Sequence, residues 1–416
     1  MPGARRGNPV AAPSGPRALS FDQRLAAGLF VLLALLPLLS RGIASSYLLL
    51  VGERLVIFAI AALSLELLIG AGGLVSFGHA AFLGIGAYAA GIVASHGHGS
   101  LAIALPAALA ASAAFALMTG AIAVRTRGVY FIMITLAFAQ MAFFIATSLA
   151  PYGGDDGLTW PTRTQVLGRP ILKDQLTFFY VCLTLLIATY LGVGRLIASR
   201  FGRVLRGLKD NETRMQAIGF RPYFYRLTAY VIAGTLCGLA GFLLGNQAEF
   251  VSPAYMHWQR SGELIIMVLL GGTGTLYGPM LGALALLLLE EALSRLTEHW
   301  KVMLGPALVL IALFASGGIA GAIAAWRRRR RTPARLAHTL PRVARHLFGV
   351  GLEASRCWRR EGRRLLLRPA HRLRRGAQAA RAACEPAKTA LGRALEALPP
   401  LAERAVKTTV VRWWRR

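Results

Sequence analysis

The sequence predicts an all-α fold: a polytopic transmembrane helical bundle of about eight to ten spans with a basic cytoplasmic C-terminal tail. Three observations predict it. Of 416 residues, 55% are hydrophobic and only 16% charged, with a mean hydropathy of +0.53, a balance that excludes an ordinary soluble globule. Apolar runs close to the roughly 20 residues needed to cross a hydrocarbon core as helix recur along the chain. Between residues 70 and 86 the chain reads Gly-Ala-Gly-Gly-Leu-Val-Ser-Phe-Gly-His-Ala-Ala-Phe-Leu-Gly-Ile-Gly, directly after a full membrane-length apolar run. Unsatisfied backbone groups are expensive at membrane depth, so such a glycine-rich stretch is tolerated only where protein or a water-filled cavity covers it. Broken or closely packed helices of this kind are where a membrane protein builds a passage for solutes.

The elements follow in order. Residues 1–24 form a basic N-terminus, expected on the cytoplasmic side. Arg5, Arg6, Arg17 and Arg24 precede the apolar run 25–39, as in a signal peptide. No Ala-x-Ala cleavage site follows, only Arg41-Gly42-Ile43-Ala44-Ser45-Ser46, so an uncleaved first span is expected. The candidate spans are 25–40, 47–70, 73–95, 101–124, 129–150, 176–194, 227–245, a short 263–271, 277–294 and 303–325. The first and eighth are short, which suits a tilted, interfacial or re-entrant placement. Lys/Arg bias sets the orientation, because cytoplasmic loops hold the excess positive charge. With the N-terminus inside, the basic connections Arg125-Thr126-Arg127 and 195–226 fall inside. The stretch 151–175 falls outside, where Arg163, Arg169 and Lys173 are balanced by Asp155, Asp156 and Asp174. Counting 263–271 as a pass keeps the run of arginines at 327–331 inside as well.

The transmembrane region 25–325 thus contains one long inner loop, 199–226, and is followed by an Arg-rich tail, 326–416. The tail carries most of the formal net charge of +29. Its arginines alternate with Leu and Ala and it ends Val410-Val411-Arg412-Trp413-Trp414-Arg415-Arg416, a pattern compatible with a solvated cationic extension or with helices lying on an anionic lipid face. No nucleic-acid reading motif accompanies the charge, so the expected partner surface is membrane lipid and not nucleic acid. The outer run Tyr152-Gly153-Gly154-Asp155-Asp156-Gly157 reads either as a turn cluster or as a place to receive a partner.

The chemistry-bearing motifs of enzymes are missing from the sequence. It has no GxxxxGK[ST] phosphate loop, no HExxH pair and no Ser-His-Asp set, so no catalytic residue, metal or cofactor is expected. His96-Gly97-His98 reads as a solvated connection. Cys182, Cys237, Cys357 and Cys384 show no CxxC spacing, and suggest neither a disulfide framework nor a zinc site.

Two features carry functional weight. In the inner loop, Val204, Leu205, Leu208, Met215 and Ile218 give a broken helical apolar face ending at Gly219, a natural helix stop. A charged helix with such a face has something to dock against, either a protein or the lipid interface. The second feature is a pair of glycine-rich breaks, Gly72-Gly73-Leu74-Val75-Ser76-Phe77-Gly78 and Gly271-Gly272-Thr273-Gly274-Thr275-Leu276-Tyr277-Gly278, each opening a new apolar segment. As broken helices in two halves they suit a solute path, with Ser76, His79, Thr273 and Thr275 offering hydrogen bonds and Gly78 allowing close backbone approach. Tight helix packing is the other use of such residues. Glu66, a carboxylate near the end of an apolar span, faces either the protein interior or the cytoplasmic interface.

Over roughly residues 45–325 the chain resembles the permease subunits of branched-chain amino-acid ABC transporters, of the LivM type. Four stretches carry the resemblance: Leu63-Ser64-Leu65-Glu66-Leu67-Leu68-Ile69-Gly70 leading into Gly73-Leu74-Val75-Ser76-Phe77-Gly78-His79-Ala80-Ala81-Phe82; Arg127-Gly128-Val129-Tyr130-Phe131 with Thr135-Leu136-Ala137-Phe138-Ala139-Gln140; the inner loop from Asp210 to Gly219; and Gly262-Glu263-Leu264 through Gly271-Gly272-Thr273-Gly274-Thr275-Leu276-Tyr277-Gly278-Pro279. The resemblance implies a plasma-membrane subunit that pairs with a second permease as a heterodimer. It further implies two cytoplasmic ATPase subunits and an extracytoplasmic solute-binding protein. A cytoplasmic loop ending in an Ala-x-Gly element would sit in a cleft of the ATPase; the matching position is Ala217-Ile218-Gly219. Leu205, Met215, Ala217 and Gly219 are the expected docking surface, with Arg206 and Arg214 as charged contacts. Glu66 departs from the neutral polar residue more common in the family, which leaves the solute preference open. Branched-chain amino acids come first, urea or short amides next. A stand-alone ion-coupled carrier is the reading of another class; it would need intramembrane carboxylates or a coupling-ion site, of which the spans supply little apart from Glu66.

Overall fold

The computed structural model describes residues 21–323, apart from 44–45, 98, 161–162, 166–168, 297–298, 300–301, 307–316 and the side chains of a few helix-end residues. The tail 326–416, the start of the N-terminal segment 1–24, Cys357 and Cys384, and most of the expected span 303–325 lie outside the described residues.

The chain is a helical bundle built around one central helix. α1 (Phe21–Ile43) leads to α2 (Ser46–Glu66), which continues through a π-helical turn, Leu67–Gly72. Residues 47–72 form one apolar span almost entirely buried within the protein. It is buried because α1, α6, α9, α10 and α11 all pack on it. That position explains why its sequence is apolar on every side rather than striped. The π turn stops at Gly73, whose φ of +67° lies in the left-handed region that an L side chain adopts only with strain. Residues 73–76 are non-helical, and α3 starts only at His79 (His79–Ser95). The span expected over 73–95 is therefore broken at its first turn, because Gly73 reverses the backbone and the next amides find side-chain partners.

α4 (Leu101–Ala123) and α5 (Val129–Ser148) follow as an antiparallel pair with largely exposed outer faces. The connection to α6 (Gln175–Ala198) runs through a two-residue strand β1 (Leu158–Thr159), paired antiparallel with β2 (Phe250–Val251) in the register Leu158↔Val251 and Thr159↔Phe250. This stretch is not simply a surface loop. Trp160 is 4% exposed and lies over Gly91 and Gly245, while Thr164 donates from N and Oγ1 to the buried Asn246 Oδ1. The loop is thereby sealed against α3 and α9 (Pro222–Ala248).

Two short helices, α7 (Arg200–Asp210) and α8 (Glu212–Ala217), occupy the expected inner loop. Each has a side-chain N-cap: Ser199 Oγ accepts from Gly202 N–H, and Asn211 Oδ1 from Arg214 N–H. α9 then packs along α3 and α4 at very short range. A Cβ on Gly241 would overlap the Leu83 carbonyl, and one on Gly86 the Gly238 carbonyl, so the small residues set the distance of approach. After a 3-10 turn (Pro253–Met256), α10 (Trp258–Gly271) and α11 (Gly278–Leu296) complete the described bundle, with helical residues again at 302–306 and 318–323. The eighth expected span, 263–271, starts earlier but has only 14 residues, about 21 Å of helix. Among the described residues, five helices are long and apolar enough to cross a membrane: Tyr47–Gly72, α4, α5, α6 and α9.

Candidate functional site

α7 and α8 sit at the end of the bundle where α2 finishes. α7 is strongly amphipathic: Val204, Leu205 and Leu208 are buried while Arg203, Arg206 and Lys209 are exposed. Leu205 is fully buried and reaches Gly72 of the π turn. The sequence-based assignment of Leu205 to an outward docking surface is therefore corrected: its apolar side chain packs the helix onto the bundle. Met215 is half-buried over Gly207, where a Cβ would come within 2.8 Å of its sulfur. Arg206 is exposed, but its guanidinium donates to the carbonyls of Ile197 (2.9 Å) and Gly202 (3.4 Å), capping the end of α6. Arg214, Ala217, Ile218 and Gly219 are exposed at the tip. Gly219 has φ +98° and open space around it.

The tip is held by Glu212. Its two carboxylate oxygens pair with Arg127 Nη2 (2.7 Å), from the α4–α5 turn, and with Arg226 Nη2 (2.8 Å), from the start of α9. Glu212 and Arg226 are nearly buried, with side chains 13% and 11% exposed, whereas Arg127 is open to solvent. This fixes α8 relative to the α4–α5 turn and to α9.

The end of the central helix meets the second glycine-rich break at the same end. Glu66 Oε1 accepts the Gly274 N–H at 2.6 Å. Gly70 makes room for this arrangement, because a Cβ there would overlap the Glu66 carboxylate. Lys209 of α7 donates Nζ to the carbonyls of Ile69 (3.3 Å) and Gly70 (2.9 Å), groups that the end of the helix leaves without backbone donors. Thr273 and Gly274 are exposed, and Thr275 Oγ1 donates to the Gly272 carbonyl at 3.0 Å. α7, the end of α2 and the α10–α11 break thus form one connected unit.

The other predicted path residues lie deeper. Ser76 and His79 are fully buried. His79 Nε2 lies 2.8 Å from Ser64 Oγ, which itself donates to the Ala61 carbonyl, so the ring must donate to Ser64 through Nε2–H. Phe77 N–H donates to Thr135 Oγ1 at 3.3 Å, and Ala80 N–H to Ser261 Oγ at 3.0 Å. Gly78 lies against the Thr135 carbonyl, too close for any side chain. The structure therefore brings Glu66 together with the 273–275 break. It places Ser76, Gly78 and His79 in a separate packed cluster, where their polar groups support the α3 start.

Sequence reasoning missed several residues here. Thr135 and Ser261 supply the acceptors for the broken α3 start, and Glu53 on α2 is fully buried, with no hydrogen bond to its carboxylate among the described residues. A lone carboxylate inside an apolar run is the signal by which Glu53 was visible. Neither Thr135, although it lies in a stretch that carries the resemblance, nor Ser261 stands out as a site residue, since single hydroxyls are common in helices.

A bundle with an almost entirely buried central span, broken helices and a cationic amphipathic element at one end has the architecture of a multi-pass membrane protein. The chain belongs to the family described as branched-chain amino acid transport system / permease component, whose model matches residues 47–313. It is 27% identical over 287 residues to the high-affinity branched-chain amino acid transport system permease protein LivM of Salmonella typhimurium, and equally to that of Escherichia coli; the match covers 63% of this chain and 67% of each relative. It is also 26% identical over 229 residues to the autoinducer 2 import system permease protein LsrC of Yersinia pestis, covering 52% of this chain and 64% of the relative. No solved structure matches. Members of this family are transport subunits rather than enzymes, and the chain is an inner-membrane, multi-pass protein of that class.

Proposed function

We propose that the chain is the translocation subunit of an ABC importer that carries branched-chain or related amino acids inward. The family match over residues 47–313 carries this reading. ATP hydrolysis belongs to two partner subunits at the α7–α8 end, which is the cytoplasmic end, with both termini on that side. A second permease and an extracytoplasmic solute-binding protein complete the assembly. The exposed tip, Arg214, Ala217 and Gly219, is the surface offered to the ATPase; Met215 and Arg206 brace it from behind. Glu66, Thr273 and Thr275 belong to the inner end of the solute path, while Ser76, Gly78 and His79 hold its broken helix in shape. The relatives named for autoinducer 2 import favour a second reading, uptake of a different small solute through the same architecture.

Reconstitution of the assembled transporter with Gly219→Pro tests the coupling role. Proline fixes φ near −65° and cannot adopt the +98° found at Gly219, while the open surroundings leave the bundle undisturbed. The variant is expected to insert and assemble but to hydrolyse ATP without uptake. Normal uptake would remove the loop from this role.

A further inference from the structure

A groove of 440 Å³ opens on the flank of the bundle between α2, α3, α9, α10 and α11, within the range of about 300–1,000 Å³ usual for small-molecule sites. Its mouth lies at the end opposite α7. There Gln247 of α9 donates to the Leu50 carbonyl of α2 at 2.9 Å. Its floor is formed by Ala80, Leu83 and Leu264. The depth follows from the helices. Gly91 meets Trp160 at the mouth end, and Ala80 lies eleven residues earlier in the same helix, so the floor is about 16 Å further in. The groove therefore descends to about half the thickness of a hydrocarbon core.

Charged groups line it between the mouth and the floor. Arg54 of α2, Arg260 of α10 and Glu291 of α11 all face the groove. Arg260 is paired with Glu263 at 2.6 Å, and Glu291 with Arg295 at 2.9 Å. Arg54 is exposed, with its guanidinium 5.7 Å from the Phe58 ring, and has no carboxylate within 4.0 Å among the described residues. An arginine on a membrane-spanning helix that makes no direct ion pair is costly in lipid and faces water, protein or a ligand. The remaining wall is apolar, with Leu83 and Leu264 beside the charges.

We propose that this groove is the outer half of the solute path and that Arg54 receives the carboxylate of an α-amino acid passing through it. This rests on the importer reading above. A guanidinium offers a planar pair of donors that matches a carboxylate. Glu291 stands across the groove as the acceptor for the α-ammonium group, and the aliphatic side chain lies on Leu83 and Leu264. The arrangement suits a zwitterion with an apolar side chain and gives an uncharged solute no use for Arg54.

The test is uptake of radiolabelled leucine by proteoliposomes containing the assembled transporter with its binding protein, comparing wild type, Arg54→Lys and Arg54→Gln. Co-purification of the partner chains reports assembly, and because Arg54 is exposed its replacement disturbs little packing. The expected result is a tenfold or greater loss of uptake in Arg54→Gln, with Arg54→Lys, which keeps the charge but loses the paired donors, falling between Arg54→Gln and wild type. Wild-type uptake of leucine with an unaffected Arg54→Gln overturns this inference and leaves the importer reading intact. Equal losses in both variants overturn the assignment of the positive charge. A wild-type transporter that carries an uncharged solute and no amino acid overturns the importer reading and this inference together.

Discussion

Glu66 Oε1 accepts a 2.6 Å hydrogen bond from the Gly274 amide, joining the end of the central helix to the break between the last two described helices. The residues are 208 positions apart in sequence, and Lys209 from the amphipathic inner helix binds the carbonyls one turn beyond Glu66. Hydrogen bonds of Lys209 and Glu66 thus connect α7, through the end of α2, to the α10–α11 break.

Replacing Glu66 by alanine removes this tie. A charged-group hydrogen bond contributes about 1.5–3 kcal/mol, so Glu66→Ala is expected to lower the thermal stability of the purified complex. Glu66→Gln keeps an acceptor and is expected to lose less. Equal melting temperatures for all three proteins would show that the contact carries no energy.

At the inner tip the two partners of Glu212 are unequal. Truncating Glu212 leaves the nearly buried Arg226 without its counter-charge, a situation that costs about 3–5 kcal/mol. Truncating the exposed Arg127 breaks a surface pair worth about 0–1 kcal/mol. Hydrogen exchange of α8 amides should accelerate strongly in Glu212→Ala and little in Arg127→Ala. The reverse order would mean that Arg127 is the anchor.

Ser64 is the partner of His79 in the packed core. Ser64→Ala leaves the ring N–H buried without an acceptor, at a cost of about 1–3 kcal/mol. Limited proteolysis in detergent is expected to cut this variant faster than the wild type; an unchanged rate would show that His79 finds another partner.

Two glycines on helices have opposite expectations. Gly241→Ala drives a methyl group into the Leu83 carbonyl and must separate α3 from α9. Gly192→Ala meets nothing within 4 Å and gains up to about 1 kcal/mol of helix propensity. Yields of monodisperse protein after detergent extraction should fall sharply for the first and hold or rise for the second.

The spans were legible because the membrane demands long apolar runs, and five of them emerge at the expected places. The break after Gly72 was legible as glycine density, yet a continuous span was drawn through it, since hydropathy does not register the left-handed Gly73. Its supports were hidden: Thr135 and Ser261 act across the bundle, at separations of 58 and 181 residues. Leu205 was correctly read as part of an apolar face, but periodicity cannot say whether such a face meets its own bundle or a partner. The polar seal of Thr164 on Asn246 was likewise beyond local pattern, because only the fold brings them together.

The measurement that bears most directly on the account is solute-stimulated ATP hydrolysis in proteoliposomes holding this chain with its candidate partner permease, ATPases and binding protein. Leucine, isoleucine, valine and urea are the solutes to compare. Stimulation by a branched-chain amino acid is expected, with Gly219→Pro keeping basal hydrolysis but losing the stimulation. Uptake by this chain alone, indifferent to ATP, would contradict it and make the protein a secondary carrier.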